Sequence, residues 1–317
     1  MAEKEKTVLI TKDGIRHDGR KKEDIRNIEF KIGVLDRADG SALIEWGKNK
    51  ILVAVYGPRE LHPKHMALPD QALIRCEYRM ATFSVPDRKS PAPRRREKEI
   101  SKILGEALVP AVFNYLYPRS VIDVYIEILQ ADGGSRCASI CAASLALADA
   151  GVPMKDLVVG VAAGNLSGTV VLDLDDVEDK EGEGDLPIAV LPNLNEIVLL
   201  QSDGTFNPKQ YKEALDMMMP ACKKIYDIQR EALTNKYSRI TKEVSESLEE
   251  IEQSKETDAK MEEEPKAEKA KKEEKSADKE DSKKDKKADE DKKKKSSKKE
   301  DKKDDSKKTP PKKEEKK

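Results

Sequence analysis

No apolar run in this sequence approaches the length needed to cross a bilayer, and its first residues, MAEKEKTVLITKDG, lack the apolar core of a signal peptide. A cytoplasmic protein with no membrane association is the expectation. Cysteine is scarce. Cys76, Cys137, Cys141 and Cys222 form no CxxC pair, which argues against a structural zinc site and suits a reducing compartment. Cys137 and Cys141 stand one helical turn apart and read as small core residues. Valine, isoleucine, leucine and all aromatics are missing from 254–317, where 26 lysines and no arginine face 21 acidic residues. Such a stretch cannot bury enough apolar surface to offset the entropy of ordering. Two regions follow: an ordered body, 1–253, and a disordered Lys/Glu/Asp-rich tail, 254–317. The tail carries net +5. The body, with 35 basic and 41 acidic residues, carries net −6, so any nucleic-acid contact must come from local arginine clusters rather than a broad basic surface.

What is present is a succession of short apolar runs. IEFKIGVL, SALIEW and KILVAVYG, separated by Asp39-Gly40 and Gly47-Lys48-Asn49, predict an antiparallel meander over 27–56. A strand is expected at 72–83. A helix should open at Arg94, with Ile100, Ile103, Leu104, Ala107 and Leu108 on its buried stripe, and kink or stop at Pro110. VIDVYIEILQ predicts a strand with Ile122, Val124, Ile126 and Ile128 on one face. The alanine-rich run after Ser135 predicts a helix ending at Gly151, a natural C′ residue. Further strands are expected at LVVGVAAG, GTVVLDL, LPIAVLP and NEIVLLQSDG, with an acidic loop at 175–185. A last helix should run from about Asn207 to Leu248, whole or broken at Pro220. The order gives an α+β (α/β layered) domain, mixed sheets with helices packed on them.

Four clusters could carry chemistry. In QADGGSRCAS a strand ends, two glycines turn the chain and a helix begins, so unpaired N–H groups, the positive end of the helix dipole and Arg136 meet at Gly134–Arg136. The turn reads either as a phosphate-sized anion site or as an ordinary strand-to-helix turn with Ser135 as N-cap. Glu178, Asp179 and Asp185 could bind a hard divalent cation or raise one another's pKa, or form a solvated loop. Asp173, Asp175 and Asp176 read as strand-edge and loop solvation. Arg94, Arg95 and Arg96 at a helix start oppose the helix dipole unless an anion is bound there. Arg59, His62, Lys64 and His65 form a basic loop that could touch RNA or only solvent. No serine or cysteine nucleophile motif accompanies its histidines. Trp46 and the Met217–Met219 triple read as packing.

These pieces, in this order, resemble the RNase PH family, which includes polynucleotide phosphorylase and the ring subunits of the exosome. The matching stretches are Arg16-His17-Asp18-Gly19-Arg20 with Arg26, Tyr56-Gly57-Pro58-Arg59-Glu60, Arg94 to Ile100, Gln130 to Arg136, and Glu178-Asp179 through Asp185 to Ala189. They span about residues 10–245, and the HPKH loop and Ser135 are most similar to catalytic ring subunits of archaeal exosomes. The resemblance implies an RNase PH fold with a βαβ-type core and a phosphate-dependent 3′→5′ exoribonuclease acting on single-stranded RNA. It implies inorganic phosphate as co-substrate and Mg2+ or Mn2+ as cofactor. Its implied partners are an inactive RNase PH-like chain, alternating as a trimer of heterodimers, and S1/KH-domain caps. By the same resemblance Gly134, Ser135 and Arg136 match the phosphate-binding turn, Asp179 the general acid and Asp185 the metal carboxylate. Arg94 and Arg95 match arginines that grip RNA near its 3′ end. Two other readings stay open: a non-catalytic RNA-binding ring scaffold and a homohexameric tRNA-trimming enzyme.

Overall fold

Strand β1 (Ile28–Ile32) pairs antiparallel with β2 (Gly40–Trp46), and β2 with β3 (Asn49–Glu60), as the alternating apolar runs require. The computed structural model describes residues 9–11 and 14–277, with side chains described as far as Leu248. Strand β5 (Ser120–Gln130) joins β3 antiparallel, and β4 (Leu73–Met80) closes the sheet parallel to β5, giving the order β1-β2-β3-β5-β4. A parallel pair needs a crossover, and helix α1 (Arg95–Leu108) lies within it, so β4–α1–β5 is a βαβ unit. On β5, Ile122, Val124, Ile126 and Ile128 are wholly buried. Helix α1 buries Ile100, Leu104, Ala107 and Leu108 and stops ahead of Pro110, which sits in a 3-10 turn at Val109–Ala111.

Helix α2 (Ser135–Asp149) occupies the middle layer. Every residue from Cys137 to Leu147 is buried, because α2 packs on β2 and β3 on one side and on a second sheet on the other. Gly151 adopts φ +72° just beyond its last turn. The second sheet contains β6 (Val159–Leu166), β7 (Thr169–Leu172), β8 (Gly184–Leu191) and β10 (Asp203–Gly204), ordered β10-β8-β6-β7, with β9 (Glu196–Leu200) also paired to β8. The layered α+β expectation therefore holds.

One expectation needs correction. The acidic loop at 175–185 contains a short helix, α3 (Asp176–Glu181), because Asp175 caps it: one carboxylate oxygen accepts from the N–H groups of Val177 and Glu178, each at 3.0 Å. Of the two forms expected for the last helix the whole one is found: α4 (Pro208–Ala277) passes through Pro220 unbroken. Its buried stripe, Ala214, Met218, Ala221, Cys222 and Ile225, keeps helical spacing on both sides of the proline, which lies on the exposed face. Gln229 continues the stripe and donates to Cys141 O and Val158 O, at 3.0 and 3.3 Å. This packing offsets the roughly 3 kcal/mol penalty of an interior proline. Helix α4 is described as far as Ala277, within the stretch whose composition predicts disorder from Ser254. The rest of that stretch, 278–317, lies outside the described residues. The chain divides into two units, the first ending at Ser247 and the second beginning at Leu248. Among the described residues no helix is long and apolar enough to cross a membrane.

Candidate active site

Strand β5 delivers the chain into the turn Ala131–Gly134, from which α2 starts. Gly133 and Gly134 both have φ +65°, a left-handed conformation that disfavours any side chain. A Cβ on Gly133 would also lie 2.5 Å from the carbonyl carbon of Asp175. The first glycine thus lets this turn press against the start of α3. Gly134, not Ser135, is the N-cap of α2, which corrects the sequence expectation. The Ser135 hydroxyl is instead bonded to the buried Tyr78 hydroxyl at 2.8 Å. The first helical bonds come from the N–H groups of Cys137 and Ala138 to Gly134 O, so those of Ser135 and Arg136 stand ahead of them, at the positive helix end.

The turn is held from behind. Asn49 accepts from Asp132 N–H and donates to Gly133 O, both at 2.7 Å. Arg26 reaches the Asp132 carbonyl, Asp173 Oδ1 at 2.6 Å and Leu174 O at 2.9 Å, joining the glycine turn to the segment that carries the acids. Asp173 is therefore no solvated edge residue. It is buried and also accepts from Arg26 N–H at 2.7 Å and from the Trp46 indole at 3.0 Å. Burial alone would push its carboxyl up; the Arg26 guanidinium and these N–H donors overcome that and hold it below the usual carboxylate range. Asp175, likewise read from sequence as solvation, is a buried helix cap whose second oxygen meets His17 Nε2 at 2.7 Å. Glu178 does not join the acids of the site: it is fully buried and paired with Arg16. His17, Asp175 and Glu178 bring three potential metal-ligand atoms close together, but the Arg16 ion pair and the helix cap already occupy the carboxylates.

Asp179, on α3, and Asp185, at the start of β8, line one cavity of about 430 Å³ with Gly134, Ser135, Arg136, Arg94, Arg96 and Tyr78. The Gly134–Arg136 helix start and the acid pair thus share one space. Burial pushes the Asp179 carboxyl above its ordinary value, against the pull of Arg96 and Arg136. Burial raises Asp185 too, and the negative charge of Asp179 raises it further. Two such carboxylates are hard oxygen donors whose repulsion a divalent cation would relieve, so the residues fit Mg2+ or Mn2+.

Arg95 lines an adjoining cavity shared with Arg96, Arg136, Asp179, Asp185, Gln201 and Asp203. Arg59, His62, Lys64 and His65 line neither space. Arg59 pairs with Asp39 at 3.0 Å and lies over the Tyr56 ring, Lys64 pairs with Glu60 at 2.8 Å, and His62 and His65 are exposed. Sequence reasoning missed Tyr78 and Gln201 and gave Arg96 no separate role. Arg96 is visible in the arginine triplet, but only helix geometry turns it to both cavities. Tyr78 and Gln201 carry no local motif; strand pairing alone brings them in.

Comparison with known proteins gives a concordant result. The chain matches the family described as "3' exoribonuclease family, domain 1" over residues 24–153 and its domain 2 over 156–220. Arg136 comes from the first domain, Asp179 and Asp185 from the second. The exosome complex component Rrp41 of Thermococcus kodakarensis is 55% identical over 236 residues, 74% of this chain and 95% of the relative. That of Pyrococcus furiosus is 54% identical over 236 residues, covering 74% and 94%. Among solved structures, rice Rrp46 superposes with a TM-score of 0.61 at 27% identity, covering 68% of this chain and 98% of that one. A chain of the Archaeoglobus fulgidus exosome with RNA bound to the active site gives 0.60 at 24%, covering 68% and 92%, a likeness of fold.

Proposed function

Because the chain belongs to the 3′ exoribonuclease family, we propose that it is the phosphorolytic 3′→5′ exoribonuclease subunit of an exosome. One observation carries the reading: the Gly134–Arg136 helix start and the Asp179/Asp185 pair open into the same cavity. Inorganic phosphate sits on the free N–H groups of α2 with Arg136 beside it. An oxygen of that phosphate attacks the phosphorus of the last phosphodiester. A new P–O bond forms, the bond to the 3′ oxygen of the preceding nucleotide breaks, and the products are a nucleoside diphosphate and RNA one nucleotide shorter. Arg136 and Arg96 face the charge that builds on the non-bridging oxygens. Asp179, held protonated further toward neutral pH than an ordinary aspartate, gives its proton to the departing 3′ oxygen. Asp185, with Asp179 beside it, would hold Mg2+ or Mn2+, which supplies neutralising positive charge. An ester is exchanged for an anhydride, so excess nucleoside diphosphate drives the reverse reaction and adds 3′ tails.

Arg94 and Arg95 grip backbone phosphates near the 3′ end, which makes the contacts independent of base identity. The exposed Arg59, His62, Lys64 and His65 meet the strand outside the cavity. The partners are an inactive RNase PH-like chain in a trimer of heterodimers and S1/KH-domain caps.

The test uses labelled single-stranded RNA, with and without phosphate and with and without an RNase PH-like partner. Diphosphates released only when phosphate is present support the reading; monophosphates released regardless of phosphate overturn it. Activity of the chain alone would favour a homohexamer. Replacing Arg136 by alanine removes a charge-assisted contact to the attacking anion. We expect the half-saturating phosphate concentration to rise about tenfold or more with RNA affinity unchanged. A phosphate titration with the same half-saturation as wild type would remove Arg136 from this role.

A further inference from the structure

Arg16, Arg26 and Arg136, which adjoin the glycine turn or the acid-bearing segment, are held in two different ways. Arg16 is locked to the Glu178 carboxylate and Arg26 to that of Asp173. Their charges are cancelled locally, and both serve to tie segments together. Arg136 is different. Among the described residues no carboxylate lies within ion-pair distance of its guanidinium, and its Nη1 donates to Gln201 Oε1 at 2.5 Å. Gln201 is itself fixed by the sheet. It directly follows β9, whose Leu200 stands opposite Ile188 of β8, and its backbone N–H donates to Pro187 O at 3.1 Å. It lines the adjoining cavity together with Arg136, Asp179 and Asp185.

An arginine at a helix N-terminus is repelled by the helix dipole and has several rotatable bonds to order. A carboxylate would hold it firmly but would also neutralise it, and would compete with an incoming anion for the same N–H groups. A neutral amide oxygen fixes one N–H and leaves the full positive charge and the remaining donors for the ligand. We propose that Gln201 is a positioning residue that keeps Arg136 aimed into the phosphate cradle without cancelling its charge. This rests on the reading of Arg136 as a phosphate ligand.

The experiment titrates phosphate in the assembled enzyme, following diphosphate release, for wild type, Gln201→Ala, Gln201→Glu, Arg136→Ala and the Gln201→Ala/Arg136→Ala double variant. Gln201→Ala should raise the half-saturating phosphate about fivefold, with a smaller change in the maximal rate. Gln201→Glu should raise it further, because the new carboxylate pairs with Arg136. In the Arg136→Ala background the loss of Gln201 should add nothing, since its effect passes through the arginine. A Gln201→Ala enzyme with unchanged half-saturation, or an effect of the same size in the Arg136→Ala background, would overturn the proposal while leaving phosphorolysis intact. If the wild-type enzyme released no diphosphate, the functional reading itself would fall, and this proposal with it.

Discussion

Asp179→Asn and Asp185→Asn should each lower phosphorolytic turnover about 100-fold or more, the usual range for losing a positioned acid, while leaving RNA affinity close to wild type. They should do so without loss of fold stability. Both carboxyls are raised above their ordinary value by burial, and Asp185 also by the charge of Asp179. A carboxyl whose folded-state pKa exceeds its unfolded value favours the folded state fully only below the unfolded pKa. That contribution is lost as pH rises through the folded pKa. At neutral pH, above the unfolded value, these carboxyls therefore work against folding, and a neutral amide should leave the melting temperature equal or higher. The combination of lost turnover and retained or raised melting temperature separates a chemical role from a structural one. Near-normal phosphorolysis by either variant, assembled with its partner, would remove that residue from the mechanism.

The second large effect is on stability. Glu178→Ala should destabilise the body by about 3–5 kcal/mol, since it leaves the Arg16 charge buried with no counter-ion. Both side chains are completely shielded from solvent. Besides the second, shorter contact between Nη2 and Oε2, Arg16 Nε donates to Glu178 Oε1 at 2.7 Å, Nη1 to Leu172 O at 2.6 Å and Nη2 to Asp173 O at 2.9 Å. The pair ties the segment before β1 to α3, and the remaining Arg16 bonds tie it to the end of β7 and the chain that follows. For a domain of this size the cost corresponds to a fall in melting temperature of about 10 °C, readable by calorimetry. Activity should fall as well, because Asp179 follows Glu178 on the same helix turn. Replacing both partners by apolar residues, Arg16→Met with Glu178→Leu, should recover much of the loss. A single Glu178→Ala variant melting within a degree or two of wild type would contradict this account.

These two predictions fall on opposite sides of what the sequence made legible. The meander, the alternation in β5, the α2 helix and the glycine turn before Arg136 are all local patterns: period two, period three to four, or left-handed turn residues. Such patterns act over a few residues and can be read directly. Asp179 and Asp185 were legible as an acid pair because they lie close together in the chain. Glu178 stands next to Asp179 and shares its chemistry, yet its function is set by Arg16, 162 residues away. Nothing local distinguishes a carboxylate bound for the interior from one bound for a cavity. The burial of Asp173 and Asp175 is hidden from the sequence for the same reason. Gln201 and Tyr78 reach the site through strand register alone, and α4 runs through Pro220 because its packed face outweighs a local rule.

Helix α2 is walled in by two sheets, and its first turn is the proposed anion cradle. That end and the innermost part of the molecule therefore belong to one continuous helix. Lengthening or slipping that helix by one residue would turn its buried side toward a different neighbour, so the cradle cannot be retuned independently of the interior. Variation in substrate handling among such enzymes should accordingly gather in the loops and arginines around the rim, where a change need not be accommodated by the whole interior.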